Sequence, residues 1–218
     1  MRFSIIVPSH NGAKRIWRAL DSIKKQSFKD YEVIVVCDAC DDSTDIIARS
    51  YGAIVLECNH QRAGLARNDA LQVAKGEYIL FMDDDDYWLH DDVLAKIHNK
   101  LNSQQALTDI LCFTFIFKNA DGTTRYANYL DRNGNYWTAV WNKCWRREWI
   151  SDCRFSGDIV GSDVVFTKQA FNKIKQPNIV RWDMPLYIYN HMRKGSITET
   201  AARERGVKSE IFYYHTGT

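Results

Sequence analysis

The sequence lacks any long apolar run, any low-complexity linker and any internal repeat. No segment approaches the roughly 18–20 consecutive apolar residues that a membrane helix requires. The N-terminal stretch MRFSIIVPSHNG has too short an apolar run for a secretory signal peptide, and Pro8 interrupts it. These absences predict a cytoplasmic protein without a transmembrane segment, and they leave no clean domain boundary within the chain.

A strong excess of one charge sign is also missing, because the formal net charge is only +2 over 218 residues. Hydrophobic residues make up 45% of the chain and charged residues 26%, which excludes a disordered polymer and fits an ordinary folded domain. Basic residues outnumber acidic ones from Lys143 onward. That imbalance suits an anionic substrate, but an ordinary solvated surface has it as well.

The six cysteines do not indicate a disulfide framework, because the chain is large and carries no secretion signal. Cys37 and Cys40 form a lone C-x-x-C, and a structural zinc site would need a second ligand pair at similar spacing. We therefore interpret these two thiols as small packing residues at a strand end.

The first half of the chain alternates between two apolar periods. Short β-branched runs have the character of buried strands, and the segments between them repeat apolar residues at helical spacing. This rhythm is typical of βαβ units, so we predict an α/β fold with a mainly parallel central sheet flanked by helices. The predicted strands are Phe3–Pro8, Tyr31–Cys37, Ala53–Glu57 and Tyr78–Met82, and the predicted helices are Ala13–Ile23, Ser43–Tyr51, Leu65–Ala74 and His90–Leu101.

Three polar segments follow these strands, namely Pro8–Asn11, Asp38–Asp42 and Asp83–Asp86. Ligands of such sheets bind beyond the carboxyl ends of the strands, so the segments should meet in one site. Four adjacent aspartates repel one another unless a cation or hydrogen-bond donors offset their charge. Asp83 and Asp85, spaced as D-x-D, suit Mn²⁺ or Mg²⁺ with a bound diphosphate completing the shell. A D-x-D alone also occurs in solvated acidic turns.

The second half of the chain predicts less. DILCFTFIFKN (Asp109–Asn119) fits a strand, and the following ADG fits a hairpin turn. The C-terminal stretch TETAARERGVKSEIFYYHTGT has no assigned structure or role. Four tryptophans recur every four residues, which predicts an aromatic stripe on a helix that either packs in the core or lines a sugar or base pocket: Trp137, Trp141, Trp145 and Trp149.

Taken in order, these motifs resemble the family 2 glycosyltransferases, which have the GT-A nucleotide-sugar fold. FSIIVPSHN is similar to the family's V-I-I-P-x-Y-N strand, and YEVIVVCDACDDST to E-I-I-V-V-D-D-G-S-x-D-x-T. AGLARNDALQVAKGEYILFMDDDDYW is similar to G-x-x-x-A-R-N-x-G-x-x-x-A-x-G-E-Y-I-x-F-L-D-x-D-D-x-W. VWNKCWRREWI, GSDVVF and PLYIYNHMRKGSIT are similar to its W-N-K-x-Y-R-R, E-D-x-x-F and Y-x-Y-x-x-R-x-x-S-I-T segments. The ordered set covers nearly the whole chain.

The resemblance implies a Rossmann-like GT-A domain over residues 1–218, with a nucleotide-sugar half to about residue 120 and a smaller mixed acceptor-side half after it. It implies metal-dependent, inverting transfer of a sugar from a nucleoside diphosphate sugar, expected to be a UDP-sugar, with Mn²⁺ or Mg²⁺ as cofactor. Asp38 matches the position that binds the base, and His10 stands where the family has tyrosine. The implied donor-binding residues are Pro8, His10, Asp38, Arg62, Asp83 and Asp84, and the implied metal ligands are Asp85 and Asp83.

Inversion requires a base within hydrogen-bond reach of the attacking hydroxyl. Asp163 in GSDVVF matches the family's catalytic base, although Ser162 replaces the first acid of the usual E-D pair. Asp163 could instead cap a helix through Ile174, and Asp158 is the alternative base. Four further basic residues have possible roles, three at the diphosphate and the last as a structural ion-pair partner: Lys143, His191, Arg193 and Arg67.

Two other functions remain open from the sequence. A nucleotidyltransferase would make the sugar nucleotide, but such enzymes carry a Gly-rich basic loop where this chain has SHNGAKR with one glycine. A non-catalytic module would bind Ca²⁺ and a glycan through the aspartates. For a glycosyltransferase in glycan or polysaccharide biosynthesis, the acceptor could be a glycan, a lipid-linked glycan or a small molecule, and a nucleic acid base is less expected. The sequence does not indicate the oligomeric state.

Overall fold

The computed structural model describes residues 1–131, 133–158 and 160–191. Within these ranges the chain forms five helices, namely α1 (Ile16–Lys24), α2 (Thr44–Ser50), α3 (Ala63–Val73), α4 (Val93–Asn102) and α5 (Ser162–Phe171). It also forms nine strands, namely β1 (Phe3–Ser9), β2 (Tyr31–Asp38), β3 (Ile54–Cys58), β4 (Tyr78–Phe81), β5 (Tyr87–Trp88), β6 (Ile110–Lys118), β7 (Thr124–Ala127), β8 (Lys143–Arg146) and β9 (Ile179–Asn190). None of these helices has both the length and the apolar character needed to cross a membrane.

All nine strands belong to one sheet with the order β3-β2-β1-β4-β8-β6-β9-β5, and β7 pairs with β6. The first four strands are parallel to one another, as the βαβ rhythm predicted. Strand β8 then runs antiparallel to both β4 and β6, whereas β6 and β9 are parallel. The α/β fold is therefore as predicted: parallel pairing dominates the first half, and antiparallel pairs in the second half make the complete sheet mixed.

Apolar side chains on both faces of the sheet form two core clusters. In β1, Phe3, Ile5 and Val7 face the cluster that contains the apolar residues of α1 and α4. Ile6 faces the opposite cluster, which contains the apolar residues of α3 and α5. Because β1 is covered on both faces, all seven of its residues are buried, which explains its nearly continuous apolar sequence.

Two helices begin later than their apolar spacing predicted. Helix α1 starts at Ile16 because the carbonyl of Gly12 accepts the N–H groups of Arg15 and Ile16 in a turn, after Asn11 adopts a left-handed conformation with φ of 49°. Helix α4 starts at Val93, because residues 89–92 form a bend and a turn after the short strand β5, which pairs with β9. Strand β5 was not predicted, since a two-residue strand has no periodicity.

The predicted tryptophan-bearing helix is wrong. Trp145 lies in β8, between β4 and β6, and Trp137 and Trp141 lie in an irregular segment before it. The buried amine of Lys143 donates hydrogen bonds to the carbonyl oxygens of Trp137 and Ala139 at 2.6 and 2.7 Å, which holds this segment in a non-helical path. The expected core role is observed: three of the four indoles, those of Trp141, Trp145 and Trp149, are buried.

Candidate functional site

The carboxyl ends of β1, β2 and β4 bring the three polar segments together at one edge of the sheet, as predicted. Asp38 ends β2, and the run Asp83–Asp86 follows β4. His10 follows β1, and its Nδ1 lies 2.7 Å from the carbonyl oxygen of Asp38. Pro8 is buried within β1, where it is paired with Val36 of β2.

Asp38 organises the loop that leads into α3. Its Oδ1 accepts the backbone N–H groups of His60 and Gln61 at 2.6 and 2.8 Å, and its Oδ2 accepts that of Arg62 at 2.7 Å. Burial alone would raise the pKa of Asp38, but these amides outweigh it and hold the pKa below its usual value. Asp38 therefore fixes residues 60–62 as one wall of the site, and Arg62 is the residue that precedes α3.

Asp84 is held by the loop after β1. Arg15 donates from Nε to Asp84 Oδ1 at 2.8 Å and from Nη2 to Oδ2 at 2.7 Å, and the Ser9 hydroxyl also donates to Oδ2. A Cβ on Gly12 would lie 2.2 Å from Ser9 Oγ and 2.6 Å from Asp84 Oδ2, so this packing has no room for a side chain. A donor would have to compete with Arg15 for the Asp84 carboxylate.

Asp86 anchors β9 beneath the acidic run. Its carboxylate is fully buried and accepts the Tyr187 hydroxyl at 2.8 Å and the Asn190 backbone N–H at 2.7 Å. Burial, reinforced by Asp85 and Asp83, raises the pKa of Asp86 well above its usual value. The Tyr187 oxygen in turn accepts the backbone N–H of Asp83 at 3.1 Å. The first and second halves of the chain are thus joined directly under the site.

The aromatic residues beside this anchor form a stack. The Trp141 ring lies between those of Tyr187 and Tyr189, with centroid distances of 4.8 and 4.9 Å and interplanar angles of 12° and 13°. The stack makes Tyr187 a rigid support for the Asp83 backbone.

Arg67 joins Asp83 to Asp163. Its Nη2 donates to Asp83 Oδ1 at 2.6 Å and its Nη1 to Asp163 Oδ1 at 3.2 Å, while only 5% of the residue is exposed. Burial raises the pKa of Asp83 to about 7; Arg67 opposes that rise, and the nearby carboxylates of Asp163, Asp85 and Asp84 add to it. A cation bound here would offset this excess of negative charge. The ion-pair role expected for Arg67 is therefore observed, and it links the predicted metal ligand to the predicted base.

Asp163 reaches this cluster because α5 begins close against α3. A Cβ on Gly64, near the start of α3, would lie 2.7 Å from the Ser156 carbonyl oxygen and 2.9 Å from Ser162 Cβ. Gly161, with φ of 94°, precedes α5, so Asp163 is not the residue that caps the helix. Helix α5 also ends at Phe171, before the predicted Ile174.

The remaining candidate residues lie outside the cluster or outside the described ranges. Asp158 is exposed and accepts the Ser156 hydroxyl at 2.7 Å. Lys143 is fully buried, with its amine bonded to carbonyl oxygens and to the Asn142 side chain, so it cannot meet a diphosphate as expected. His191 Nδ1 lies 3.3 Å from Asn119 Oδ1. Arg193 and the stretch after Thr200 lie outside the described residues.

The donor set fits a hard divalent cation. Asp83 and Asp85 offer carboxylate oxygens, and Asp83 Oδ1 also accepts Arg67. Both carboxylate oxygens of Asp84 and of Asp86 accept hydrogen bonds from protein donors. The Asn190 side-chain amide donates to the main-chain carbonyl of Asp85 and thereby fixes the backbone there. Mn²⁺ and Mg²⁺ prefer oxygen ligands and are commonly held by one or two carboxylates together with substrate phosphates.

The chain is similar in sequence to known glycosyltransferases. A family model described as Glycosyl transferase family 2 matches residues 4–197. The protein WfaP of Escherichia coli, named UDP-Glc:alpha-D-GlcNAc-diphosphoundecaprenol beta-1,3-glucosyltransferase, is 28% identical over 219 residues, which cover 99% of this chain and 78% of WfaP.

A second relative is TarS of Staphylococcus aureus, a poly(ribitol-phosphate) beta-N-acetylglucosaminyltransferase that is 42% identical over 95 residues. These residues cover 40% of this chain but only 17% of TarS, so the match spans a small part of that longer protein. The crystal structure of TarS 1–349 in complex with UDP-GlcNAc aligns with a TM-score of 0.75 and 27% identity, covering 90% of this chain and 60% of that one.

The mannosyltransferase PcManGT from Pyrobaculum calidifontis, solved in complex with GDP-Man and Mn²⁺, shares the fold. It aligns with a TM-score of 0.69 and 19% identity over 93% of this chain and 60% of that one.

Proposed function

The chain belongs to glycosyl transferase family 2, and we propose that it transfers a sugar from a nucleoside diphosphate sugar to an acceptor hydroxyl, with inversion at the anomeric carbon. The observation that carries the proposal is the Asp83–Arg67–Asp163 unit. It places the acid of the D-x-D and the candidate base on two ends of one buried guanidinium. This contact supports the proposal, because sugar transfer requires that the nucleotide site and the proton acceptor be fixed relative to each other.

The donor is proposed to be a UDP-sugar, because TarS is solved with UDP-GlcNAc and WfaP is named for UDP-Glc. The nucleobase would lie against the wall formed by His10 and residues 60–62, which Asp38 fixes, and Arg62 directly precedes helix α3 beside it. Asp83 and Asp85 would hold Mn²⁺ or Mg²⁺. When bound, such an ion neutralises the charge that develops on the departing diphosphate.

Asp163 is proposed to accept the proton of the attacking hydroxyl. Arg67 binds its Oδ1, and its Oδ2 lies 3.4 Å from the Val140 backbone N–H, a long and weak contact. Arg67 orients the carboxylate while Oδ2 stays available to the acceptor. Asp84 contributes to donor binding by fixing the loop after β1 through Arg15.

The acceptor is proposed to be a bacterial surface glycan or its lipid-linked precursor. WfaP is named for a sugar linked to diphosphoundecaprenol, and TarS for poly(ribitol-phosphate). The names of these relatives favour such acceptors over a nucleic acid base. Membership of the family favours sugar transfer over nucleotidyl transfer or Ca²⁺-dependent glycan binding.

The test is a comparison of Asp163→Asn with Asp158→Asn. Asp163→Asn should bind UDP as the wild type does but lose UDP-sugar hydrolysis and transfer by roughly 10²–10⁴-fold, the usual contribution of a general base. Asp158→Asn is the matched control, because the Asp158 carboxylate is exposed, lies outside the cluster and accepts the Ser156 hydroxyl. This variant should keep wild-type activity. Full activity in Asp163→Asn would refute the assignment.

A further inference from the structure

We propose that Cys58, His60 and Asp69 form a second metal site, selective for Zn²⁺, beside the wall that Asp38 organises. One ligand atom from each residue lies within 4.8 Å of the other two. The site is separate in composition from the all-oxygen acidic run, and the inference does not rest on the proposed sugar transfer.

The present geometry is near that of a bound ion. A tetrahedral zinc ion with usual bond lengths separates its sulfur, nitrogen and oxygen ligands by about 3.4–3.6 Å. His60 Nε2 lies 2.8 Å from Asp69 Oδ2, so that pair must open slightly, and the sulfur must approach by about 1.4 Å at most. The side chains of His60 and Asp69 are 35% and 36% exposed, so both can rotate and an ion can enter from solvent.

The backbone that carries the three ligands is already fixed. Cys58 ends β3, where it is paired with Asp38 of β2. His60 is held by its N–H bond to Asp38 Oδ1 at 2.6 Å, and Asp69 lies within α3. The ligands come from a strand, a hydrogen-bonded loop and a helix. Binding therefore has to order little more of the backbone, and its entropy cost is small.

The ligand types decide the ion. A thiolate and an imidazole favour Zn²⁺ over Mg²⁺, Ca²⁺ or Mn²⁺, and three protein ligands leave a fourth position for water. Burial, with a further contribution from the Asp38 carboxylate, raises the pKa of Cys58 to about 12. The thiol is therefore protonated in the metal-free protein, so forming the Zn–S bond must release that proton to solvent.

The Cys58–His60–Asp69 site should thus bind Zn²⁺, whereas the acidic run should bind Mn²⁺ or Mg²⁺. The spacing Cys58–His60 is too short and lacks the paired pattern of known zinc motifs, so only Cys37 and Cys40 were considered as a zinc pair from the sequence. Asp69 joins the cluster through helix α3 and has no local signal in the sequence.

The test is titration of the full chain with Co²⁺, which replaces Zn²⁺ and absorbs in the near ultraviolet when bound by thiolate. The wild type should develop a thiolate-to-cobalt band that one equivalent of Zn²⁺ abolishes. Cys58→Ser should lack the band. His60→Gln, which keeps the backbone amide bonded to Asp38, should weaken Co²⁺ binding by roughly 10–100-fold or more.

Two controls make the result specific. Cys40→Ser removes a nearby half-buried thiol that donates to the Ser9 carbonyl, and it should keep the band. Asp85→Ala removes the proposed oxygen-ligand site and should also keep it, so failure of the proposed function leaves this result unchanged. Absence of the band in the wild type, its persistence in Cys58→Ser, or its loss in Cys40→Ser would overturn the site.

Discussion

Arg67 connects carboxylates that lie 16 and 96 positions away in the chain, and its guanidinium is almost fully buried between them. A planar guanidinium can donate to two acids at once from a fixed geometry, which a lysine ammonium cannot reproduce. The residue therefore has two effects: it offsets the charge on Asp83, and it sets the orientation of Asp163.

Replacing Arg67 should shift the pH dependence of metal binding. The Asp83 carboxyl has its pKa raised to about 7, so it gains a proton as the pH falls through that value and then binds a cation poorly. Arg67→Met removes the positive charge that opposes this rise. Mn²⁺-dependent UDP binding should then have its pH midpoint at a higher pH than in the wild type, as measured by calorimetry across a pH series around 7.

Two variants calibrate that measurement. Arg67→Lys keeps a positive charge and should shift the midpoint less than Arg67→Met does. Arg49→Met removes an exposed partner of Glu57 and should leave the midpoint unchanged. An identical midpoint in Arg67→Met and the wild type would show that Arg67 has no electrostatic effect on the ion.

Individual site residues were predictable to different degrees. Asp83, Asp85 and Asp163 were predicted from motifs, and the structure brings Asp83 and Asp163 to the same guanidinium. The Arg15–Asp84 and Tyr187–Asp86 contacts were missed, because their partners lie 69 and 101 positions apart. No local pattern identifies such pairs.

At the scale of elements, the approach of α5 to α3 determines where the base lies. Gly64 allows the start of α3 to contact the Ser156 carbonyl and the Ser162 side chain at distances that exclude a Cβ. The backbone must move if a methyl group is added there, and Asp163 moves with the start of α5.

Gly64→Ala should therefore damage transfer more than it damages donor binding. Overpacking should lower the free energy of unfolding by about 1–3 kcal/mol. A displacement of Asp163 by about 1 Å should lower the transfer rate by roughly 10²-fold, because catalysis depends steeply on position. UDP affinity should remain near the wild-type value, since the wall held by Asp38 is not touched.

Gly157→Ala is the matched control for this variant. A Cβ on Gly157 would lie 3.7 Å from Leu65 Cδ1, an ordinary contact, and the residue is exposed. Unfolding by denaturant and steady-state transfer assays on both variants separate the two effects. Equal transfer rates in Gly64→Ala and Gly157→Ala would contradict the proposed positioning.

Elements with regular apolar periods were the predictable ones. The parallel strands β1 to β4 and the helices between them follow from alternation and helical spacing, with ends displaced by a few residues. The helix predicted from the tryptophan spacing is wrong, because residues with that spacing lie in a strand and in an irregular segment held by Lys143. Tertiary contacts decided the conformation there.

At the scale of the whole molecule, two parts of the sheet contribute different residues to the candidate site. The parallel strands β1, β2 and β4 present the acidic run and the loop that Asp38 fixes, and the mixed part carries Tyr187 and Asn190 beneath it. The boundary near residue 120 remains a prediction. Composition predicted an ordinary folded domain, but the antiparallel insertion of β8 depends on pairing across the chain and was not predictable.

The central claim is that the acidic run binds a divalent ion which meets the diphosphate of the donor. The most direct measurement is calorimetric titration of UDP into the wild type and Asp85→Ala, each with Mn²⁺ and with a chelator. The wild type should bind UDP about tenfold or more tightly with Mn²⁺, a gain of about 1.4 kcal/mol or more, and Asp85→Ala should lose that gain. Equal UDP affinity in the wild type with and without Mn²⁺ would contradict the account.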